Sequence, residues 1–347
     1  MNCGTLILTR RDVAALLSIE ECTEAVEHVF RLYGEGKTQA PGVLGVHAQN
    51  GGFHIKAGML QLNRPYFAAK INANFPQNPK RLGLPTIQGV IVFSDAENGY
   101  PLAIMDSTEI TSQRTAAATA VAAKYLARPE SKTLMICGCG IQGRVSLRAL
   151  MRLFPLEEVF AYDIDSTQSE KFVSDLSAEL AITIKAVSQL EGAALQSDIC
   201  VTCTPSRQFF LKREHIAPGT FVAAVGADNG DKQELDPNLL AASTVVADLV
   251  EQCATIGELH HALDQKVMKK DQVHAELGAV VAGTKPGRTS SDEVIVFDST
   301  GMALQDVVTS ALVYEKSTQQ GAGTTMELST WTTAQRPRST SMRSCKT

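Results

Sequence analysis

The sequence lacks the features that mark membrane-bound and secreted proteins. No apolar run reaches the roughly 18 residues that a membrane-spanning helix requires. Residues 1–10 contain neither the basic start nor the apolar stretch of a secretory signal. Eight cysteines among 347 residues are too few for a disulfide scaffold. We therefore expect a reduced, cytoplasmic protein with no membrane partner.

An excess of basic residues is also lacking. The formal net charge is −5 at pH 7, which disfavours a nucleic acid as the partner. Histidines, cysteines and acids show no ligand-like spacing, so we expect no bound metal. Hydrophobic residues make up 44% and charged residues 20%, the balance of a globular chain with a buried core. A length of 347 residues predicts about two domains.

The first third of the chain is predicted to combine two helices with a mainly antiparallel sheet. A strand is expected at 6–8, and Thr9 and Ser18 then begin capping-box patterns for two helices. Short apolar runs between turn residues predict further strands at 43–44, 53–55, 66–71 and 87–93. An alanine-rich helix is expected over 112–126.

From residue 133 onward, predicted strands alternate with predicted helices, which is typical of a doubly wound parallel sheet. The expected strands are 134–137, 159–162, 183–187, 199–202, 221–225, 245–247 and 294–297. The expected helices are 141–153, 167–181 and 189–196. A helix over 301–315 is expected to return to the first domain, which would make that domain discontinuous.

The fold class expected from these patterns is α/β. Residues 114–305 are predicted to form a Rossmann-type domain with a doubly wound parallel sheet. Residues 1–113 and 306–328 are predicted to form a discontinuous α/β domain, with a last strand at 326–328. Residues 329–347 are rich in serine and threonine and are expected to be a disordered tail.

A complete GxGxxG motif is the strongest chemical signal, and it lies between a predicted strand and a predicted helix. Its residues are Gly138, Gly140, Ile141, Gln142 and Gly143. The glycines allow a tight turn and a close approach to a pyrophosphate at the helix N-terminus. Asp163 follows at the end of the next predicted strand, where an acid binds ribose hydroxyls and repels a 2′-phosphate. The motif predicts NAD rather than NADP, with another nucleotide or none as the alternatives.

Several charged residues lie where a ligand could use them. Lys70 interrupts an apolar strand, and Lys56 shares a strand face with His54. A lysine that points inward needs an anionic partner, such as a substrate carboxylate. Arg114 lies near the start of the alanine-rich helix, and Asp228 follows a strand at the carboxyl end of the parallel sheet, where α/β proteins bind ligands. Taken alone, each of these charges is more often a solvated surface group.

Four ordered blocks surround the glycine motif. They are Lys70-Ile-Asn with Gly83-Leu-Pro-Thr-Ile-Gln-Gly89, Gly99-Tyr-Pro-Leu-Ala-Ile-Met-Asp106 with Ile110-Thr-Ser-Gln-Arg-Thr-Ala116, Val225-Gly-Ala-Asp228 with Lys232-Gln-Glu-Leu235, and Phe297-Asp-Ser-Thr-Gly301. With the glycine motif they make the chain resemble the ornithine cyclodeaminase/mu-crystallin family, from about residue 5 to about residue 328.

The resemblance implies roles for individual residues. Lys70 and Arg114 would hold a substrate α-carboxylate, and Thr300 would lie near the substrate. Asp228 would be the catalytic acid/base, with Lys70 as a second catalytic residue. Besides the glycine motif and Asp163, the cofactor site would be lined by Thr86, Arg114, Thr204, Val225, Lys232 and Ser299. The discontinuous domain would bind the substrate and pair two chains into a homodimer.

The chemistry implied by the resemblance begins with hydride transfer from the α-carbon of an L-amino acid to NAD⁺, which gives an imine. In a cyclodeaminase a distal amine then attacks, ammonia leaves and the hydride returns. Other members of the family act as alanine-type dehydrogenases or reduce imino acids such as pyrroline-2-carboxylate.

The sequence departs from the family where many members have an additional arginine. None occurs between Lys37 and Lys56, so we expect Lys56 to replace it as a substrate-binding residue. The ornithine enzyme carries an acid near the position of His54, whereas a His–Lys pair suits a neutral or acidic substrate side chain. We therefore favour an imino-acid reductase or amino-acid dehydrogenase. An ornithine or lysine cyclodeaminase and a non-enzymatic binding protein are the alternatives.

Overall fold

Strands dominate the first part of residues 4–328, which are the residues that this computed structural model describes. The strands are β1 (Thr5–Leu8), β2 (Gly42–Ala48), β3 (Gly51–Gln61), β4 (Pro65–Asn74), β5 (Ile87–Asp95) and β6 (Pro101–Asp106), and the helices among them are α1 (Arg10–Leu16), α2 (Ile19–Gly34) and α3 (Asn78–Leu82). Thr9 forms the predicted capping box for α1. At α2 the Ser18 side chain accepts from the Glu21 N–H and caps the helix, but the reciprocal bond of a capping box is not formed.

From Ser107 onward, helices and strands alternate. In chain order they are α4 (Ser107–Leu126), β7 (Thr133–Cys137), α5 (Ile141–Met151), β8 (Glu158–Tyr162), α6 (Ser166–Leu180), β9 (Thr183–Ala186), α7 (Glu191–Leu195), β10 (Ile199–Thr202), β11 (Arg207–Leu211), β12 (Phe221–Ala224), β13 (Gln233–Leu235), α8 (Pro237–Ala241), β14 (Thr244–Ala247), α9 (Val250–Ile256), α10 (Glu258–Asp264), β15 (Ala275–Glu276), α11 (Leu277–Val281), β16 (Ile295–Asp298), α12 (Ala303–Gln320) and β17 (Thr324–Met326).

The first sheet has seven strands in the order β17-β1-β6-β5-β4-β3-β2. All neighbours are antiparallel except β1 and β6, so the antiparallel prediction for this region is confirmed. The strand β6 was not predicted, because it begins with Pro101 and proline is depleted in strands. The last strand is at Thr324–Met326 rather than at the predicted 326–328.

The second sheet is an eight-stranded parallel sheet in the order β15-β14-β16-β12-β10-β7-β8-β9. The strands β9-β8-β7-β10-β12 have the 3-2-1-4-5 order of a Rossmann domain. The strand order reverses between β7 and β10, and the crevice at this reversal is where such sheets bind nucleotides. The predicted α/β fold with a Rossmann-type parallel sheet is therefore confirmed.

The alanine-rich helix α4 lies between the two sheets and contacts both β5 and β12. It begins at Ser107 instead of the predicted residue 112, because the Asp106 side chain accepts a hydrogen bond from the Glu109 N–H at 2.9 Å and caps it. The helix α12 starts at Ala303, ends at Gln320 and packs on β3, β4 and α2. The predicted domain boundaries at 113/114 and 305/306 fall inside these two helices, and they stay predictions.

Between β10 and β16 the strands β12 and β14 were predicted, but the other short strands and the helices were missed, because elements of two to seven residues carry little periodicity. Among them, β11 and β13 form a small parallel pair of their own. Within residues 4–328, no helix is long and apolar enough to cross a bilayer. The predicted disordered tail, 329–347, lies outside the described residues.

Candidate active site

Two neighbouring strands place two lysines side by side. Lys56 on β3 lies opposite Lys70 on β4, and the two residues are 5% and 3% exposed. His54 on β3 lies opposite Asn72 on β4. Each is two residues from the lysine of its strand, and side chains alternate along a strand, so all four side chains lie on one face of the sheet. Two buried ammonium groups repel each other, so each needs partners of its own.

One buried carboxylate, Asp306 in the first turn of α12, joins two cations. Its Oδ1 lies 2.8 Å from Lys70 Nζ and 3.2 Å from Nε of Arg114, a residue of α4. Arg114 also donates from Nη1 to Gln305 Oε1 at 3.2 Å. Lys70 Nζ lies 3.3 Å from the hydroxyl of Thr111. Tertiary packing thus brings together groups from β4, α4 and α12.

Burial controls the protonation of this cluster. Burial and the Arg114 guanidinium lower the pKa of Lys70 to about 7, although Asp306 opposes them. The same two causes lower the pKa of Lys56. Burial acts to raise the pKa of Asp306, but Lys70 and Arg114 outweigh it and the pKa is lowered. The cluster therefore holds an ionised carboxylate beside a lysine that titrates near neutral pH.

Lys56 is held by main-chain carbonyls rather than by an acid. Its Nζ donates to the carbonyl oxygens of Thr300 at 2.6 Å and Gly301 at 2.8 Å, in the loop after β16. Two of its three ammonium protons are thereby used. The hydroxyl of Thr300 instead accepts a hydrogen bond from Gln252 Nε2 at 2.6 Å. The predicted substrate residues Lys56 and Thr300 are thus in direct contact, through a carbonyl.

Asp228 lies in the loop that follows β12. Its Oδ1 is 2.9 Å from Lys232 Nζ and accepts a hydrogen bond from Asn229 Nδ2 at 3.1 Å. Burial acts to raise the pKa of Asp228, but Lys232, with His54 and Lys56, outweighs it and the pKa is lowered. The charge of Asp228 also acts on His54, whose pKa burial lowers. The loop therefore places an ionised, partly exposed carboxylate near the face that carries His54 and Lys56.

The glycine motif forms the turn between β7 and α5. Gly138 has φ +103°, and a Cβ there would lie 2.9 Å from the carbonyl oxygen of Cys203. A Cβ at Gly143 would lie 2.2 Å from the carbonyl oxygen of Gly138. Gly140 caps α5 and has open space where its Cβ would be. Two glycines are therefore required by the turn, whereas the third leaves room for a ligand above the helix N-terminus.

Asp163 follows β8, as predicted, and its carboxylate is tied to the glycine turn. Asp163 Oδ2 accepts a hydrogen bond from the Cys139 N–H at 2.8 Å, and Oδ1 accepts one from the Asp165 N–H at 3.0 Å. The acid thus lies beside the turn that would receive a dinucleotide.

A cleft of about 730 Å³ opens between the start of β5 and the N-termini of α4 and α5. Its walls include Thr86, Ile141 and Gln142, three of the predicted cofactor residues. Gln142 Nε2 lies 3.4 Å from the carbonyl oxygen of Ser112 at the cleft wall. These residues come together from separate parts of the chain.

Three further predicted cofactor residues follow strands at the carboxyl edge of the parallel sheet. Thr204 comes after β10, Val225 after β12 and Ser299 after β16. The hydroxyl of Ser299 donates to Asp248 Oδ2 at 3.0 Å. Lys232 differs from them, because it lies on the loop of Asp228 and pairs with that carboxylate. The cofactor and substrate assignments stay predictions.

Four buried acids that were not predicted from the sequence join these loops. Glu234 accepts hydrogen bonds from the main-chain N–H groups of Thr204 at 2.6 Å and Gly226 at 3.1 Å, which joins the loops after β10 and β12. The other three acids are Asp248, which binds the Gly301 N–H; Glu258, which binds the Glu234 and Leu235 N–H groups; and Asp298, which binds the Glu258 and Leu259 N–H groups. The available signal was an acid directly after an apolar run, as in Val296-Phe-Asp298.

Asp306 was also missed, although it lies in the apolar run Ala303-Leu-Gln-Asp-Val-Val308. Its partners are 192 and 236 residues away in sequence, so local patterns cannot identify them. Within residues 4–328, no group of three His, Cys, Asp or Glu side chains has a metal-binding arrangement.

Comparison with known proteins places this architecture in one family. The model of the ornithine cyclodeaminase/mu-crystallin family matches residues 4–321. The alanine dehydrogenase of Archaeoglobus fulgidus is 40% identical over 319 residues, which cover 92% of this chain and 97% of that protein.

Solved structures agree with this similarity over nearly the whole chain. An archaeal alanine dehydrogenase dimer with bound NAD has a TM-score of 0.89 and 39% identity, and the match covers 94% of this chain and 99% of that one. The Δ1-pyrroline-2-carboxylate reductase of Thermococcus litoralis, in complex with NADH and L-proline, has a TM-score of 0.88 and 35% identity, with 92% and 99% covered. The predicted cofactor and the predicted class of oxidoreductase are confirmed by these relatives. The chain belongs to the ornithine cyclodeaminase/mu-crystallin family.

Proposed function

We propose that the protein is an NAD(H)-dependent oxidoreductase that interconverts a small L-amino acid and its imino acid by hydride transfer at the α-carbon. The observation that carries the proposal is the convergence of Lys70 and Arg114 on one carboxylate, next to Lys56, whose pKa the charge of Asp228 influences. A pair of cations suits the α-carboxylate that amino and imino acids share.

The glycine turn fits a dinucleotide. Gly138 and Gly143 allow the close turn, and the open space above Gly140 lies at the N-terminus of α5, where a pyrophosphate would bind. Asp163 beside the turn would bind the ribose hydroxyls and disfavour a 2′-phosphate. When bound, NAD(H) supplies the hydride acceptor or donor for the α-carbon.

Lys70 and Arg114 would orient the substrate through its α-carboxylate, and Lys56 has one ammonium proton left for the same ligand. In the oxidative direction, Asp228 would accept a proton from the substrate amine, directly or through water, as the α-carbon loses its hydride. The lowered pKa of Asp228 keeps it ionised for this role at neutral pH. In the reductive direction Asp228 would return that proton to nitrogen.

The substrate side chain is expected to be neutral or acidic. The acid near His54 is Asp228, and Lys232 already neutralises it at 2.9 Å. A distal ammonium, as in ornithine, would add a cation to a face that already carries Lys56. This arrangement favours a reductase or dehydrogenase over a cyclodeaminase.

The test is a paired assay of the purified protein with NAD⁺ and L-alanine, L-aspartate, L-proline, L-ornithine or L-lysine, following absorbance at 340 nm and ammonia together. NADH that accumulates with one amino acid supports the proposal. Ammonia from ornithine or lysine without net NADH would show a cyclodeaminase instead. Equal use of NADP⁺ would contradict the role of Asp163.

We also propose that the protein is a homodimer paired through the first sheet. All seven residues of β2 are exposed, and Val43, Leu44 and Val46 are 45%, 56% and 47% exposed. Apolar side chains along an edge strand favour pairing with a second chain. The expected compartment is the cytoplasm, in keeping with the free thiols of the six cysteines within residues 4–328.

A further inference from the structure

An internal carboxylate occupies the place to which the proposed function assigns the substrate carboxylate. Asp306 is 1% exposed, and one of its oxygens contacts both Lys70 and Arg114. The three residues come from α12, β4 and α4, three elements that are well separated along the chain. A carboxylate shared by two cations fixes the distance and direction between them.

The geometry points to Asp306 as a positioning residue that holds Lys70 and Arg114 as a preformed pair of cations for the substrate carboxylate. This inference rests on the proposed function. Without Asp306, two like charges on separate elements repel each other, and Lys56 adds a third cation on the neighbouring strand. Preformed cations cost less free energy to orient when the ligand arrives.

The charges around Lys70 make the role of Asp306 measurable. Lys70 faces Arg114 and Thr111 on α4, Lys56 on β3 and Asp306 on α12. Asp306 is the acid in this set and supports the protonated form of Lys70 against burial and two cations. A neutral side chain at position 306 would therefore make Lys70 lose its proton at a lower pH.

Asp306 also repels an anionic ligand, so its removal has two effects of opposite sign. At acid pH, where Lys70 is protonated in either protein, a site without Asp306 attracts a carboxylate more strongly. At alkaline pH, a smaller fraction of Lys70 is protonated in the variant than in the wild type, so the variant binds the carboxylate less tightly. The two pH profiles of substrate binding should cross, which a purely structural role would not produce.

The experiment compares Asp306→Asn with the wild type, using the amino acid that the panel assay identifies. We expect KM at pH 5 to be equal to or below that of the wild type, and KM at pH 8.5 to be about tenfold higher, as a pKa change of one unit would give. We expect kcat to change by less than KM at pH 8.5. Ser310→Ala is the matched control, because Ser310 is buried one turn further along α12 and its hydroxyl has no partner within the described residues.

A KM raised by the same factor at every pH, or an unchanged profile, would overturn the inference. If Asp306→Asn does not fold by circular dichroism, Lys70→Arg replaces it. Arginine keeps its charge, so the rise in KM with pH should disappear in Lys70→Arg, and its persistence would overturn the inference.

The same design separates this inference from the proposed function. A wild type that turns over none of the panel contradicts the proposed function. L-Alanine, L-proline and L-aspartate are then titrated calorimetrically into wild type and Asp306→Asn. The crossing is expected in Kd, and its absence, or the absence of binding, overturns the role of Asp306.

Discussion

Asp228 differs from the buried acids that join the loops at the carboxyl edge of the parallel sheet. Glu234, Asp248 and Asp298 are fully buried and bind main-chain N–H groups, whereas the side chain of Asp228 is 36% exposed and its partners are side chains. An acid that exchanges protons with a substrate must be reached by it, and the buried acids are not. Exposure therefore identifies the one acid of this set suited to proton transfer.

Replacing Asp228 by asparagine is expected to lower kcat by about 10²- to 10⁴-fold, the usual contribution of a positioned general acid or base. NADH binding should change much less than kcat, because the glycine turn that would hold the pyrophosphate lies on a different loop from Asp228 and its partner Lys232. Steady-state kinetics and a fluorescence titration with NADH would measure the two effects. Unchanged turnover would contradict the role of Asp228 and favour the non-enzymatic alternative.

The buried Asp298 links protonation to stability. Burial, with a contribution from Asp248, raises the pKa of Asp298 to about 7 from its ordinary 3.8. Between these two values, the folded chain keeps a proton that the unfolded chain has lost. The free energy of unfolding contributed by this group therefore falls as the pH rises from about 4 to 7.

We expect Asp298→Asn to show a smaller fall of the unfolding free energy over that pH range, because asparagine does not titrate. Urea unfolding at pH 4.5, 5.5 and 6.5 would measure it, with the exposed Asp231→Asn as the control. An identical slope in Asp298→Asn and the wild type would show that Asp298 is not protonated in the folded chain.

At the scale of the elements, the turn between β7 and α5 separates two uses of glycine. Gly143 has no room for a Cβ, whereas Gly140 has open space. Gly140→Ala should therefore keep the melting temperature and weaken NADH binding at least about tenfold, because the added methyl group enters the space of the pyrophosphate. Gly143→Ala should lower both the melting temperature and the affinity for NADH.

The matched control for both changes is Gly192→Ala in α7, where a Cβ also meets nothing within 4 Å. It should leave NADH binding unchanged and be neutral or stabilising by about 0.5–1 kcal/mol, since alanine favours a helix. Thermal melting and fluorescence titration give both readouts. Wild-type NADH affinity in Gly140→Ala would refute the proposed position of the cofactor.

The elements also show what the sequence can and cannot predict. The βαβ alternation after residue 133 and the glycine motif are local patterns, and they predicted the parallel sheet and the turn between β7 and α5 correctly. The start of α4 was placed five residues late, because Thr108 and Thr111 are weak helix formers and the cap at Asp106 decides the boundary. Lys70 and Arg114 were recognised, but their shared partner Asp306 depends on contacts across the whole fold.

At the scale of the whole molecule, the exposed apolar residues of β2 predict association. Leu44→Glu should convert a dimer to a monomer, because it places a charge in the middle of the apolar strand. Light scattering after size-exclusion chromatography would measure the mass. Leu195→Glu is the control, because Leu195 is similarly exposed, at 48%, but lies on α7, between β9 and β10 of the parallel sheet. It should leave the mass unchanged. A dimer that survives Leu44→Glu would exclude β2 as the interface.

The position of β1 has a consequence for the order of folding. It pairs with β6 on one side and with β17 on the other, where Thr5 lies opposite Met326 from the far end of the described chain. During synthesis, β6 becomes available long before β17. One edge of β1 therefore stays unpaired until nearly all the other described elements have been synthesised. Contacts of such long sequence separation slow folding, and an unpaired strand edge is open to other chains meanwhile. The last strand of the described residues, β17, thus protects the first, β1.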